Sequence, residues 1–453
     1  TVYGNVYGGG ESVPAITKYD GLTKAVHDFN SISASSYESR NVASVICDDL
    51  NIYVGNGAVV KGDVYGAGKG VDLTDLDTYG RHRSAYIYAM TEDGSIYGIP
   101  WIVNTSSSQT GTEFANTAYD RFAYVDVKNT LTIEINNATV GSGSGNGVYG
   151  GGQIGKMEAD AVETTIDGSL INGSVFGGGK GLADKDDAGK VTGNAMVTIK
   201  NGTDISGSVY GGGSFGQVVG NTGVTLNNGH IRGDVFGAGL GKSNAVSVTG
   251  NTSVTMNNGQ VDGSVYGGSA YGQVNGTLNV AILGGTVNGD VYGGGLGTAN
   301  VKSTKSTRRV TISGGRVNGS VYGGSAYGDD GAHDASMKIT EQADSVVVVG
   351  SGYIGASVYG GGFKGITNGN VSLYIGYADA GSTPSTGNLH IGLSIYAGGD
   401  VGDVAAGQAY TQYLALGDGS IMVNGSTCNI DFSGSILGSG SSCLVKGTST
   451  ISI

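Results

Sequence analysis

The sequence predicts an all-β chain wound as a β-solenoid, a right-handed parallel β-helix of about 11–12 coils with a lateral insertion. Three observations predict it. A stretch of Val, an aromatic and glycines keeps returning, cleanest at Val209-Tyr210-Gly211-Gly212, Val265-Tyr266-Gly267-Gly268 and Val321-Tyr322-Gly323-Gly324. The register of the copies is strict: Val209, Val265 and Val321 lie 56 residues apart, as do Val235 and Val291, and Phe215, Tyr271 and Tyr327. Between the copies, Val, Ile and Leu alternate with polar residues at the period of a strand, as in Val254-Thr255-Met256. A stack of coils that lays each Val on the Val below requires a register of this kind.

Composition agrees with an ordered chain. Glycine supplies 88 of the 453 residues, without a three-residue collagen period, but 38% of residues are hydrophobic and only three are proline. The formal charge of −13 and the pI near 4.7 argue against nucleic acid, which requires clustered Lys and Arg. No apolar run approaches the length of a membrane span. Thr1 falls directly inside a repeat, as in a processed chain. The three cysteines have no metal-binding spacing; Cys428 and Cys443 are the pair able to bridge one coil, with Cys47 left over.

Residues 1–10 read as a half-coil, 11–40 as a loop excursion, and 41–70 as a full coil. Residues 71–130, with Trp101 and a cluster of tyrosines, read as an insertion or side lobe. Residues 131–440 read as coils nearly without interruption, with longer corners and a period that loosens after residue 360, and 441–453 as a C-terminal strand that completes or caps the stack. In the best copy the expected elements are a strand at Val254-Thr255-Met256, a turn at Asn257-Asn258-Gly259, and a second strand from Val261 to Val265. A corner at Tyr266-Gly267-Gly268 follows, and the preceding copy shows a short further strand at Val246–Val248. Gly259 is expected at positive φ, which glycine adopts without steric penalty. The spacing alternates between 26 and 30 residues.

The ends carry the main functional expectation. Thr1-Val2-Tyr3-Gly4-Asn5-Val6-Tyr7-Gly8 aligns with Gln260 to Gly267, and Ser449-Thr450-Ile451-Ser452-Ile453 resembles the first strand of a coil. One subunit's end is thus expected to complete the coil that the next begins. Val2, Tyr3, Val6 and Tyr7 would form one side of the contact, Ile451 and Ile453 the other. Open solenoid ends are unpaired sheet edges, and a heterologous contact that does not close gives a filament.

Chemistry is harder to find. His27, His82, His230, His333 and His390 are scattered, and His333-Asp334 reads as a solvated loop pair. Asp184, Asp186, Asp187, Asp329 and Asp330 sit in long corners, read as solvated before they are read as weak Ca²⁺ ligands. No catalytic residue, metal site or cofactor is expected. The row Tyr149, Phe176, Tyr210, Phe236, Tyr266, Tyr292, Tyr322 and Tyr359 is expected to stack along the rod, as core if turned inward. Turned outward, Tyr210, Tyr266, Tyr292 and Tyr322 with Trp101 would be a ligand platform for sugar rings.

The Val-Tyr-Gly-Gly and Val-Thr-Ile-x-x-Gly units resemble the glycine-rich β-solenoid passengers of bacterial cell-surface adhesins and extracellular fibres, over residues 41–70 and 131–440. No C-terminal membrane barrel of the autotransporter kind is visible. The resemblance implies an extracellular, structural or adhesive role. The expectation is a non-enzymatic subunit of an extracellular fibre or surface appendage that polymerises head to tail with itself. The alternative is a carbohydrate-binding or carbohydrate-cleaving β-helix whose partner is a polysaccharide or a host or cell surface.

Overall fold

A computed structural model describes residues 1–10, 15–16, 39–40, 45–70, 81–90, 96–102, 125–143, 145–183, 188–298, 302–381, 383–400, 413–415, 418–425, 427–441 and 444–453. Among these residues there is no helix, and the chain is built from strands, mostly short and mostly parallel.

Three long parallel ladders and a shorter fourth organise the described residues, and each repeat contributes one rung to most of them. In the first, Ile52, Ile133, Thr164, Val197, Val224, Val254, Val280, Val310, Val347, Leu373, Ile421 and Ile451 lie in register. In the second, Val2, Val60, Val140, Ile171, Ile205, Ile231, Val261, Val287, Val317, Ile354, Ile391 and Phe432 do the same. The third is a 12-stranded sheet made of the Val-aromatic pairs, from Val6–Tyr7 to Ile436–Leu437. The fourth is shorter and runs through Val191, Val218, Val248, Val274, Thr304, Asp330 and Thr367.

Alternation decides what is buried. In Thr252–Met256, Thr252, Val254 and Met256 are buried while Ser253 and Thr255 are only half covered, the division expected for a strand with one face on the core. The aliphatic residues of the first three ladders form one continuous core, and burying them is the main driving force for folding. The outward row Thr198, Thr225, Thr255 and Thr311 is in register and interrupted at Ala281.

Two details differ from expectation. The second strand is split: Gln260–Val261 and Val265–Tyr266 belong to different sheets, with a bend at Asp262–Ser264. At the bend a Cβ on Gly263 would lie 2.3 Å from Asp234 Oδ1 and 2.7 Å from Gly233 O in the tier below, so only glycine fits. The turn residue Gly259 does take positive φ, at 105°. The two excursions are also linked. Ala15–Ile16 pairs antiparallel with Ser39–Arg40 and parallel with Tyr88–Ala89, and Arg81–Met90 pairs antiparallel with Ile96–Ile102. Segment 11–40 therefore contributes two strands to the same four-stranded sheet as the insertion.

Candidate functional site

Short strands with one-sided partners define the two edges. Leu50–Gly55 pairs with Val125–Asn136 on one side, and on its other side no described strand is bonded to it. In the tier beyond it the second and third ladders are present, as Val2 on Val60 and Val6–Tyr7 on Val64–Tyr65. At the opposite edge the pattern is complementary. The first ladder ends with Ser449–Ser452 on Gly419–Val423, while the second and third end one rung earlier, at Asn429–Phe432 and Ile436–Leu437.

The residues singled out from the sequence fall at these two edges. Val2 is 43% exposed and Tyr3 85%, with Val6 and Tyr7 half-buried beside them; Ile451 is 40% exposed and Ile453 91%. Ile451 continues the core column that begins at Ile52. The two groups lie at opposite ends of the ladders and do not meet within one chain.

The aromatic row is a single stack. Tyr7, Tyr65, Tyr149, Phe176, Tyr210, Phe236, Tyr266, Tyr292, Tyr322, Tyr359 and Tyr396 follow one another with centroids 4.5–5.0 Å apart. Their planes are within 12° of parallel. Tyr210, Tyr266, Tyr292 and Tyr322 are only 4–8% exposed, so the ring faces that a sugar would need are covered by neighbouring rings. Trp101, the fifth residue of the suggested platform, is on the strand Ile96–Ile102, whose side chains lie outside the described part. Burial pushes the Tyr210 hydroxyl up to about 12, and those of Tyr65, Tyr149, Tyr266, Tyr292, Tyr322 and Tyr359 are raised likewise.

A chain of side-chain acceptors runs beside the stack. Asp234 N–H donates to Ser208 Oγ at 3.0 Å, Ser264 N–H to Asp234 Oδ1 at 2.7 Å, and Asp290 N–H to Ser264 Oγ at 3.0 Å. Ser320 N–H follows on Asp290 Oδ1 at 2.7 Å, and the series ends with Ser435 N–H on Ser394 Oγ at 3.0 Å. These contacts satisfy the amide just before each Val-aromatic pair.

The titratable residues meet partners that sequence spacing hides, because they come from neighbouring tiers. His230 Nε2 lies 2.7 Å from Asp262 Oδ2, and His390 Nδ1 lies 2.9 Å from Asp431 Oδ2. His333 Nδ1 faces Asn368 Oδ1 at 2.8 Å and is not paired with Asp334, whose Oδ1 accepts from Ser336 and Lys338 amides. The Asp262 carboxyl is held below its usual range by Gln260 and His230.

The reading of Asp329–Asp330 as a solvated corner is overturned. Asp330 is fully buried, 3.5 Å from the guanidinium Nε of Arg308, which is equally buried. Asp330 also accepts Ser325 N–H and Oγ–H at 2.8 and 2.6 Å, while Arg308 donates to Gly323 O and Ala343 O. Arg308 was missed because Arg308-Arg309 looks like a surface pair; the period of two puts the first inward. Asp184, Asp186 and Asp187 lie outside the described residues. Cys428 is a buried free thiol that donates to Gly350 O and Gly387 O; Cys443 lies outside the described residues.

Among the described residues, no three His, Cys, Asp or Glu gather as a metal site, and no helix is long and apolar enough to cross a membrane. Comparison with known proteins found no match: no family model, no curated protein and no solved structure is significantly similar to the chain.

Proposed function

We propose that the chain is a non-enzymatic β-solenoid and that it serves as the structural subunit of an extracellular fibre or surface appendage, polymerising head to tail by coil completion. The observation that carries this reading is the complementarity of the two edges. Among the described residues, one edge has second- and third-ladder rungs but no first-ladder rung over Leu50–Gly55; the other ends in the first-ladder strand Ser449–Ser452. Laid edge to edge, Ser449–Ser452 of one copy takes the vacant place on Leu50–Gly55 of the next, with Ile451 over Ile52. Val2 then continues the column of Phe432, and Val6 and Tyr7 continue those of Ile436 and Leu437. The side-chain ladder continues too, since Ser435 Oγ meets the Asn5 amide.

The physical incentive is twofold. Unpaired backbone groups on both edges gain hydrogen bonds, and Val2, Tyr3, Ile451 and Ile453 leave water. The contact uses different surfaces on the two copies and has no rotation that closes it, so it propagates. The non-enzymatic part of the reading rests on the scatter of the histidines, since His230, His333 and His390 each meet a different partner, while His27 and the side chain of His82 lie outside the described part. The extracellular part rests on the likeness of the repeats to adhesin passengers.

Electron microscopy of the purified chain at neutral pH tests the assembly. Long thin filaments are expected; isolated short rods would end the proposal for this chain. Removing residues 449–453 is expected to leave folded rods that no longer polymerise. Filaments that persist after that deletion would take those residues out of the contact.

A further inference from the structure

A second aromatic row lies outside the buried stack, and it alternates with glycine tier by tier. Six residues after the ladder valine, successive tiers present Gly181, Phe215, Gly241, Tyr271, Gly297 and Tyr327. Single backbone bonds hold them in register: Phe215 N–H to Lys180 O, Gly241 N–H to Ser214 O, Tyr271 N–H to Leu240 O, Gly297 N–H to Ala270 O and Tyr327 N–H to Leu296 O, all 2.7–2.8 Å. The glycines take φ of 67° to 71°, the left-handed region, and open the longer corners, with 34 residues from Val175 to Val209 and 30 from Val235 to Val265 and from Val291 to Val321. The rings are exposed: Phe215 36%, Tyr271 45% and Tyr327 39%. Two tiers separate each ring from the next, which is roughly 10 Å along the molecule.

Between Phe215 and the corner that follows Gly241 lies an open notch of about 400 Å³, lined by Phe215, Gln217, Lys190, Lys242 and Asn244. Lys242 Nζ is fixed across the corner on Ala183 O at 2.9 Å. The ring and its carboxamide recur 56 residues on, where Gln273 stands to Tyr271 as Gln217 stands to Phe215, while Asp329 takes that place after Tyr327. Ser243 Oγ and Thr298 Oγ1 link the two corners at 3.2 Å.

We propose that this comb is a binding site for an extended β-linked polysaccharide strand. An exposed ring offers an apolar face to the C–H face of a sugar, and a carboxamide beside it can both donate to and accept from hydroxyls. Single exposed aromatics are ordinary on a surface; three in register, with glycine in every intervening tier, are not scattered. A site that repeats along the protein fits a ligand that repeats along itself. In an extended β-1,4-linked glycan each sugar is flipped relative to the last, so the same face recurs every second residue, at an interval of the same order as two tiers. The buried stack has no such capacity, because its rings are spaced one tier apart and covered.

Isothermal titration of the full chain with cellohexaose and with chitohexaose tests the site, each compared with its triose. Binding of at least one hexaose is expected, more than tenfold tighter than its triose because only the longer ligand spans several rings. Phe215→Ala and Tyr271→Ala are each expected to weaken it roughly three- to tenfold, the range for one aromatic contact, with an unchanged melting curve. No binding of either hexaose at millimolar concentration overturns the proposal. So does binding that survives the combined Phe215→Ala, Tyr271→Ala and Tyr327→Ala variant. If that variant instead abolishes side-by-side association of rods while neither glycan binds, the row is a self-contact and the proposal is wrong.

Discussion

The fourth ladder holds two solutions to one packing problem. At Val191, Val218, Val248 and Val274 it contributes apolar side chains that are fully buried. Further on, in the same register, it contributes Thr304, Asp330 and Thr367, also fully buried. What changes alongside is the first ladder. Its strand-opening position is Thr222, Thr252 and Leu278 beside the apolar stretch, and becomes Arg308 where the fourth ladder turns polar. Thr222 and Thr252 close the corner by donating to Gly237 O and Gly267 O at 2.6 and 2.5 Å; Arg308 Nε does the same to Gly323 O at 3.2 Å. The backbone therefore accepts either filling. An internal charge is accommodated only because Asp330 sits across from it, with Ser325 meeting both carboxylate oxygens.

The strongest test places charge inside the buried aromatic stack. The stacked tyrosines beside the apolar stretch resist ionisation, with Tyr210 pushed up from 10.0 to about 12 by burial. The unfolded chain releases those protons first, so the stack's contribution is intact below pH 10 and is lost as pH rises above it. Each resistant tyrosine should cost at most about 1.4 kcal/mol per pH unit. Urea midpoints are expected to fall steeply between pH 10 and 12, with the phenolate signal of the stacked tyrosines, as distinct from exposed ones such as Tyr3, appearing only as the protein unfolds. A titration of these tyrosines near 10 in the folded state would break the contrast.

The polar stretch is tested by removing one partner. Asp330→Ala leaves Arg308 buried and unpaired and should cost about 3–5 kcal/mol by urea unfolding. The double change Arg308→Thr with Asp330→Val, which copies the apolar tiers, should recover most of that loss. Failure to recover would mean that the surrounding serines and threonines, and not the ion pair, define this stretch. The smallest effect belongs to the corner tie. Thr252→Val should cost about 1 kcal/mol, the net value of one hydrogen bond, since Leu278 fills the same position without a donor.

Much of this was legible beforehand because it repeats. Val254 and Met256 inward, Gly259 at positive φ, and the alignment of Val2 with Val261 all follow from short-range rules applied at a fixed period. The edge residues Val2, Tyr3, Val6, Tyr7, Ile451 and Ile453 were placed by the same alignment; the structure puts Val2, Val6, Tyr7 and Ile451 on the ladders, with Tyr3 and Ile453 next to them in the chain and exposed. Phe215, Tyr271 and Tyr327 were visible as register marks but not as a surface. Their exposure depends on the glycine corners above and below, which a single repeat does not display.

The sequence by itself determined the period, the strand faces and the in-register columns, because a tandem repeat converts local alternation into a global constraint. Only the tertiary structure decided which aromatic row is buried and which exposed, and that His230 meets Asp262 and Arg308 meets Asp330. Those pairings join residues 32 and 22 positions apart, on neighbouring tiers about 4.8 Å apart in space. The winding of the backbone, and not proximity in the chain, sets who meets whom.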